Sequence, residues 1–113
     1  MLINVLKFGG TSVANLQRIE NVINIVEKSI KKKSSKIILV VSAMSGVTNE
    51  LIKEFKKIKN DISDPEYDVI VSTGEQSSSA LISSLLNKKK IQSRSLLGCQ
   101  IPILTDEKHS RAR

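Results

Sequence analysis

Aromatic residues, proline and cysteine are all scarce in this chain. Its 113 residues include no Trp, one Tyr, two Phe, two Pro and one Cys. A lone Cys excludes an internal disulfide and a cysteine-built metal site, and it is compatible with a reducing compartment. So few aromatic rings leave no stacking platform for single-stranded nucleic acid. Two prolines and five glycines also exclude collagen-like and Pro-rich linker classes.

Long hydrophobic runs are missing as well. The longest extends from Ile37 to Val41, far short of the ~20 residues that a membrane span needs. The N-terminus has neither a charged lead nor a cleavage site typical of a signal peptide. The composition, 40% hydrophobic and 26% charged, is that of an ordinary globular protein. We therefore expect a cytoplasmic protein of at most one domain, with no membrane partner.

The net charge of +7 is the one feature of the composition that favours nucleic acid or a membrane surface. Most of the excess lies in two stretches with helical patterns, Lys28 to Lys36 and Lys53 to Lys59. The second half of the chain is close to balanced, and no nucleic-acid recognition motif is present. We interpret the lysines as a solvated surface and expect no nucleic-acid partner.

The first half of the chain has the pattern of a βαβ unit. A short strand, Ile3 to Phe8, ends at two glycines, and an amphipathic helix follows from Asn15. The continuously apolar stretch Ile37 to Val41 predicts a strand buried on both faces. A second small-residue turn then leads into a second helix. The expected caps are Thr11 or Ser12 for the first helix and Thr48 or Asn49 for the second, with Leu51, Ile52, Phe55 and Ile58 on the buried face of the second.

The second half is less regular. The polar stretch from Asn60 to Asp68 predicts a loop, and Val69 to Val71 fits either a strand or a helical turn. Glu75 to Asn87 is predicted to be a helix, while Ser93 to Gly98 and Ile101 to Leu104 are candidate strands. The inward helix positions are expected to be Ala80, Leu81, Leu85 and Leu86. Together the patterns predict an α/β fold, with a mostly parallel sheet flanked by helices.

Two strands that each end in a small-residue turn predict a ligand site. In an open parallel sheet such turns meet at the carboxyl edge, where ligands bind. Free amides and helix N-termini there attract phosphate, and Lys7 precedes the glycines. The alternative, equally compatible with these residues alone, is a tight turn beside an ordinary lysine. P-loop and dinucleotide-binding motifs are absent, and no metal-ligand set is present.

The motifs resemble those of the aspartokinases, members of the amino acid kinase family. The resemblance covers essentially the whole chain, with four motifs in the family's order. These are Lys7-Phe8-Gly9-Gly10-Thr11-Ser12-Val13-Ala14, Ser42-Ala43-Met44-Ser45-Gly46-Val47-Thr48-Asn49, Ser72-Thr73-Gly74-Glu75-Gln76, and Gly98 with Gln100 followed by Leu104-Thr105-Asp106.

The resemblance implies a reaction and a role for individual residues. Aspartokinases transfer the γ-phosphoryl group of ATP, bound with Mg²⁺, to the side-chain carboxylate of aspartate, the first step towards lysine (by way of diaminopimelate), threonine and methionine. By resemblance, Lys7 is the catalytic residue that stabilises the transferring phosphoryl group. Thr48 and Glu75 match aspartate-binding positions, with Glu75 meeting the α-ammonium group. The positions that match the ATP and phosphate side are Lys7, Phe8, Gly9, Gly10 and Ser42, although Ser42 also suits the substrate side.

The resemblance also implies that residues 1–113 are an N-terminal part of an amino acid kinase domain. The family's adenine-binding half and its regulatory ACT domains have no counterpart, and Ile101-Pro102 and Ser110 depart from the family pattern. We therefore expect an incomplete α/β/α sandwich, an inactive isolated chain, and a separately encoded remainder as a candidate partner; full-length relatives are expected to be homo-oligomers. The alternatives are a non-catalytic remnant or split subunit, or another amino acid kinase such as acetylglutamate or glutamate 5-kinase.

Overall fold

A two-stranded parallel sheet forms the centre of the structure, a computed structural model that describes residues 2–32 and 36–113. The strands pair in register, with Lys7 opposite Val40. This arrangement confirms the predicted βαβ unit and the α/β class. In chain order the elements are β1 (Ile3–Phe8), α1 (Leu16–Lys32), β2 (Lys36–Val41), α2 (Val47–Ile58), α3 (Pro65–Lys88) and a 3-10 turn at Gly98–Gln100.

The hydrophobic core lies on one face of this sheet. Side chains alternate between the two faces of a strand, and the inner-face residues Leu6, Phe8, Ile37, Leu39 and Val41 pack against buried residues of α1 and α3. Helix α2 packs on α3. The fully or nearly fully buried members of the core are Val13, Ile19, Val22, Ile23, Val26, Ile82 and Leu86.

The opposite face of the sheet is open, so the prediction that β2 is buried on both faces is wrong. Val5 is 62% exposed and Ile38 51%, because no element among the described residues packs on that side. Parallel sheets ordinarily have both faces covered. The Cα radius of gyration, 15.8 Å, also exceeds the ~13 Å expected of a compact domain of about this length. The described elements thus cover one face of the sheet and leave the other face without a covering layer.

The caps of the first two helices differ from the predicted ones. Asn15 Oδ1 accepts a hydrogen bond from the Arg18 amide at 2.9 Å, so Asn15 caps α1 in place of Thr11 or Ser12. Helix α2 begins directly after Gly46, whose φ of 85° is left-handed and favours glycine. Thr48 and Asn49 consequently lie inside the first turn of α2. On its buried face Phe55 is buried as predicted, whereas Ile58 is 88% exposed.

Helix α3 is longer than the sequence pattern predicts. It begins at Pro65, capped by Asp64, whose side chain accepts from the Glu66 amide at 2.9 Å. Proline suits the first helical position because its missing N–H is not needed there. The predicted loop therefore ends at Asp64, and residues 69–71 are helical. The buried positions are Gly74, Ser78, Ile82 and Leu86; the predicted inward residues Ala80 and Leu81 are exposed.

The segment after α3 contains no strand within the described residues, so the two candidate strands are wrong. Ser93 shows the physical reason. Its amide donates to Asn87 Oδ1 at 2.9 Å, and its carbonyl accepts from Asn87 Nδ2 at 3.1 Å. These backbone groups bond to a helix side chain instead of a neighbouring strand. Farther along, His109 Nδ1 lies 2.9 Å from Asp68 Oδ2, which holds the last residues near the start of α3.

Candidate active site

The ends of β1 and β2 bring the first two motifs together at the carboxyl edge of the sheet. The Ser42 amide donates to the Phe8 carbonyl at 3.3 Å. A Cβ added to Gly10 would lie 3.2 Å from the Ala43 carbonyl oxygen, tighter than most Cβ contacts. The two turns are therefore neighbours, as the parallel topology requires, and Gly10 permits their close approach.

The third motif lies beside the second. At Gly74 an added Cβ would lie 3.0 Å from Ala43 Cβ and 3.3 Å from Val47 Cγ1, so α3 packs directly on the turn between β2 and α2. Glu75, the next residue, is half-buried. It lies in the middle of α3, not at the start of a helix as the sequence pattern predicts, because α3 begins ten positions earlier at Pro65.

Ser78 connects these motifs and is the functional candidate that the sequence reasoning missed. It is 1% exposed, and its hydroxyl donates to the Ser42 carbonyl at 2.7 Å, with the Glu75 carbonyl at 3.1 Å. The signal for it is present in the sequence. Gly74, Ser78, Ile82 and Leu86 recur every four residues, the spacing of one helix face.

Lys7 occupies the open face of the sheet, near the end of β1. Its side chain is exposed, on the same side as Val5. Within residues 2–32 and 36–113 it forms no ion pair or hydrogen bond, and none joins it to Thr48 or Glu75. The structure therefore groups the segments that carry these residues, but within the described residues no hydrogen bond or ion pair connects the three side chains. An unneutralised ammonium group beside a glycine turn fits an anionic ligand.

Some residues of the turn after β1 pack in the core, and others close the turn beside open space. Val13 is fully buried in the core, so this motif position serves packing. The backbone amide of Ser12 donates to the Gly9 carbonyl at 3.0 Å, which closes the turn, and the space beside Gly9 is open. The adjoining cavity, lined by Phe8, Ser12 and four residues of α1 that include Arg18, has a volume of about 180 Å³. Small-molecule sites usually measure ~300–1,000 Å³, so this cavity does not enclose a nucleotide.

The fourth motif folds back on itself. Gln100 Oε1 accepts from the Leu97 amide at 2.8 Å. Asp106 Oδ1 accepts from the amides of Lys108 at 3.2 Å and Arg113 at 3.3 Å. These polar side chains stabilise their own loops, and residues 98–113 are exposed throughout. In the part of the chain that the structure describes, no helix is long and apolar enough to cross a bilayer, and no group of three or more His, Cys, Asp or Glu is arranged to hold a metal ion.

Comparison with known proteins identifies the class of this chain. The profile of the amino acid kinase family matches residues 3–113. The chain belongs to the amino acid kinase family, which confirms the resemblance inferred from the motifs.

Individual relatives are aspartate kinases. The chain is 43% identical to the aspartokinase of Rickettsia conorii over 115 residues, which cover 99% of this chain and 28% of the relative. It is 47% identical to the aspartate kinase of Pseudomonas fluorescens over 116 residues, covering 100% and 28%. The crystal structure of aspartate kinase from Synechocystis superposes with a TM-score of 0.72 at 37% identity, over 79% of this chain and 15% of that one. The chain spans just over a quarter of the length of these curated relatives.

Proposed function

We propose that this chain supplies two parts of the active site of an aspartate kinase. These are the phosphate side, which binds the phosphoryl group, and the aspartate side, which binds the amino acid. The reaction is transfer of the ATP γ-phosphoryl group to the side-chain carboxylate of L-aspartate, which gives 4-phospho-L-aspartate. The observation that carries the proposal is the packing of Gly74 against the Ala43 turn. This packing brings the part of α3 that carries Glu75 against the start of α2, which carries Thr48, near the edge of the sheet where the Gly9-Gly10 turn also lies.

Lys7 and the glycine turn are proposed to hold the phosphate side. Phosphoryl transfer depends on positioning and on neutralising charge, with little covalent work for the protein. Lys7 has no acidic partner among the described residues, so its ammonium group is available to an anion. The open space beside Gly9 leaves the backbone accessible, and Phe8 and Ser42 complete this side. Magnesium-bound ATP, when present, supplies the phosphoryl group.

Glu75 and Thr48 are proposed to hold the aspartate side. Aspartate carries one ammonium group and two carboxylates, and an ammonium group needs an acidic or carbonyl partner. Glu75 is half-buried, and the structure gives its carboxylate no ion pair within the described residues. Thr48 lies in the first turn of α2, where the helix N-terminus favours a carboxylate. Glu75 therefore suits the ammonium group of aspartate, and the helix N-terminus at Thr48 suits one of its carboxylates.

The rest of the catalytic unit is proposed to lie outside these residues. The cavity beside the first turn is too small for a nucleotide, and the curated relatives are more than three times as long. We propose that the remainder of the kinase, in the same or a separate polypeptide, covers the open sheet face and binds adenine. The complete enzyme is then a cytoplasmic homo-oligomer that catalyses the first step of lysine, threonine and methionine synthesis. A non-catalytic remnant is the second candidate, favoured by the same open face. Acetylglutamate or glutamate 5-kinase activity is disfavoured because both curated relatives described above are aspartate kinases.

A fusion enzyme tests the proposal. In it, this chain replaces the aligned 28% of the Pseudomonas fluorescens aspartate kinase, and aspartyl phosphate is trapped as the hydroxamate. We expect ATP-dependent hydroxamate formation with aspartate and none with glutamate or N-acetylglutamate. A fusion enzyme that is folded yet forms no aspartyl hydroxamate would favour the remnant.

Lys7→Ala in the fusion enzyme tests the phosphate side. We expect kcat to fall by at least ~10²-fold, the scale of removing one oriented group that stabilises the transition state. Lys36→Ala is the control, because Lys36 is also exposed on a sheet strand but at the opposite end. A normal kcat with a large rise in the KM for ATP would reduce Lys7 to a role in ground-state binding.

A further inference from the structure

We infer that Ser78 is a positioning residue that fixes the Ser42 turn relative to Glu75, an inference that rests on the proposed function. Its own hydroxyl has no role in the proposed binding of phosphate or aspartate. Its side chain is 1% exposed and lies on the face of α3 that contacts the turn after β2. It acts through the two residues that it holds.

A continuous set of hydrogen bonds connects three of the motifs through Ser42. The Ser42 amide donates to Phe8 O at 3.3 Å, at the end of the strand that carries Lys7. On the other side, the Ser42 carbonyl accepts from Ser78 Oγ at 2.7 Å. The same Oγ lies 3.1 Å from the carbonyl of Glu75. Both polar backbone groups of Ser42 are thus held, one by β1 and the other by α3.

The hydroxyl of Ser78 has only one proton to donate. The shorter contact, to Ser42, lies between elements 36 positions apart in sequence, whereas the contact to Glu75 stays within one helix. Serine in a helix commonly bonds back to its own backbone. Here the shorter bond reaches another element, and a partly buried carbonyl that loses such a partner is costly to leave unpaired. The position of the Ser42 turn therefore depends on this hydroxyl.

Neighbouring serines of α3 provide matched controls. Among the described residues, Ser79 Oγ donates to Gln76 O of its own helix alone, at 2.9 Å. Ser83 Oγ lies 3.2 Å from Ser93 Oγ, away from all three motif turns. Removing either hydroxyl deletes a comparable contact of the same helix without releasing the Ser42 turn.

The kinetic test uses the fusion enzyme with Ser78→Ala, Ser78→Thr, Ser79→Ala and Ser83→Ala. We expect Ser78→Ala to lower kcat/KM for aspartate by about 10- to 100-fold, since misplacing a site by ~1 Å has effects of this size. Ser78→Thr keeps the hydroxyl and should recover most of the loss. Combined with Glu75→Gln, Ser78→Ala should cost less than the product of the two single losses, because residues that act together are not additive.

A purely structural role would give a different set of results. Losses in kcat/KM that match those of Ser79→Ala and Ser83→Ala, or losses that multiply fully with Glu75→Gln, would overturn the inference. Hydrogen exchange separates this result from the proposed function. In Ser78→Ala, peptides spanning residues 40–46 should exchange about tenfold faster, because the amide of Ser42 loses its fixed position. Unchanged exchange in Ser78→Ala overturns the positioning role, even if the fusion enzyme is inactive. Faster exchange in Ser78→Ala, with no activity in the fusion enzyme that retains Ser78, overturns only the proposed function.

Discussion

Replacing Gly74 by alanine perturbs the contact between α3 and the turn after β2. The added Cβ would lie 3.0 Å from Ala43 Cβ and 3.3 Å from Val47 Cγ1. Carbon atoms pack best at ~3.5–4.0 Å, so the helix and the turn must separate by about 0.5–1 Å. Ala43 Cβ is attached directly to the backbone and has no rotamer that relieves the contact.

Two effects of opposite sign determine the change in stability. Alanine is a better helix former than glycine by ~1 kcal/mol. Overpacking a filled site costs ~1–3 kcal/mol. The net expectation is a destabilisation of about 0–2 kcal/mol, together with displacement of Glu75 from the Thr48 turn. In the fusion enzyme, that displacement should lower kcat/KM for aspartate by roughly 10-fold or more.

Native-state hydrogen exchange of α3 in the fusion enzyme measures the local stability, and hydroxamate kinetics measure the activity. Ser77→Ala is the control, because Ser77 is exposed on the same helix and the change should stabilise α3 by about 0.5 kcal/mol. If Gly74→Ala stabilises α3 by about 1 kcal/mol and leaves kcat/KM unchanged, the close contact is absent and the reasoning fails.

Further predictions concern the isolated chain and the start of α3. The 113-residue chain alone should form no aspartyl hydroxamate above a no-enzyme control, because the cavity beside the first turn is too small for a nucleotide; formation of the hydroxamate would contradict this. With Val5 and Ile38 exposed, it should also bind an apolar dye and melt broadly, whereas a sharp cooperative melt of a clean monomer would count against that expectation. The Lys59 ammonium, followed by the Glu66 amide, lowers the pKa of Asp64 below its ordinary 3.8. The carboxylate therefore stabilises α3 above about pH 4, and this contribution is lost as the pH falls through the lowered folded-state pKa. The protection of the Glu66 amide against hydrogen exchange should therefore decrease as the pH falls through that pKa. Asp64→Asn should remove this pH dependence of the protection.

Apolar patterns in the sequence predicted the elements of the βαβ unit, although not the exposure of one face of β2. The helical spacing of Ile19, Ile23 and Val26 places all three in the core, and the run at β2 forms a strand within one residue of its predicted start. The motif turns lie together because parallel strands end at the same edge.

The remaining errors have identifiable physical causes. The caps of the first two helices were wrong because nearby Ser and Thr residues are equally good caps in sequence. In the structure the Asn15 side chain caps α1, and α2 begins after Gly46 with its left-handed φ. Val69 to Val71 was ambiguous because three residues carry no period, and Asp64-Pro65 settles it as helix. The exposure of Ile38 depends on which elements pack on the sheet, and one sequence segment contains no information on that.

The site was predictable in its turns but not in its connections. Motif resemblance predicts Lys7, Ser42 and Glu75 as site residues, while the bond from Ser78 to the Ser42 carbonyl joins positions 36 apart. Such a bond depends on the tertiary packing of Gly74, and helix periodicity alone does not predict that packing.

The substrate dependence of Glu75→Gln in the fusion enzyme tests whether Glu75 binds the ammonium group of aspartate. Steady-state hydroxamate assays give the KM for aspartate and for ATP, with Gln76→Ala, on an exposed neighbouring position, as the control. A charge-assisted hydrogen bond to the ammonium group is worth ~1.5–3 kcal/mol, which corresponds to a rise of roughly tenfold or more. We expect that rise in the KM for aspartate, with little change in the KM for ATP. An unchanged KM for aspartate with a raised KM for ATP would contradict it.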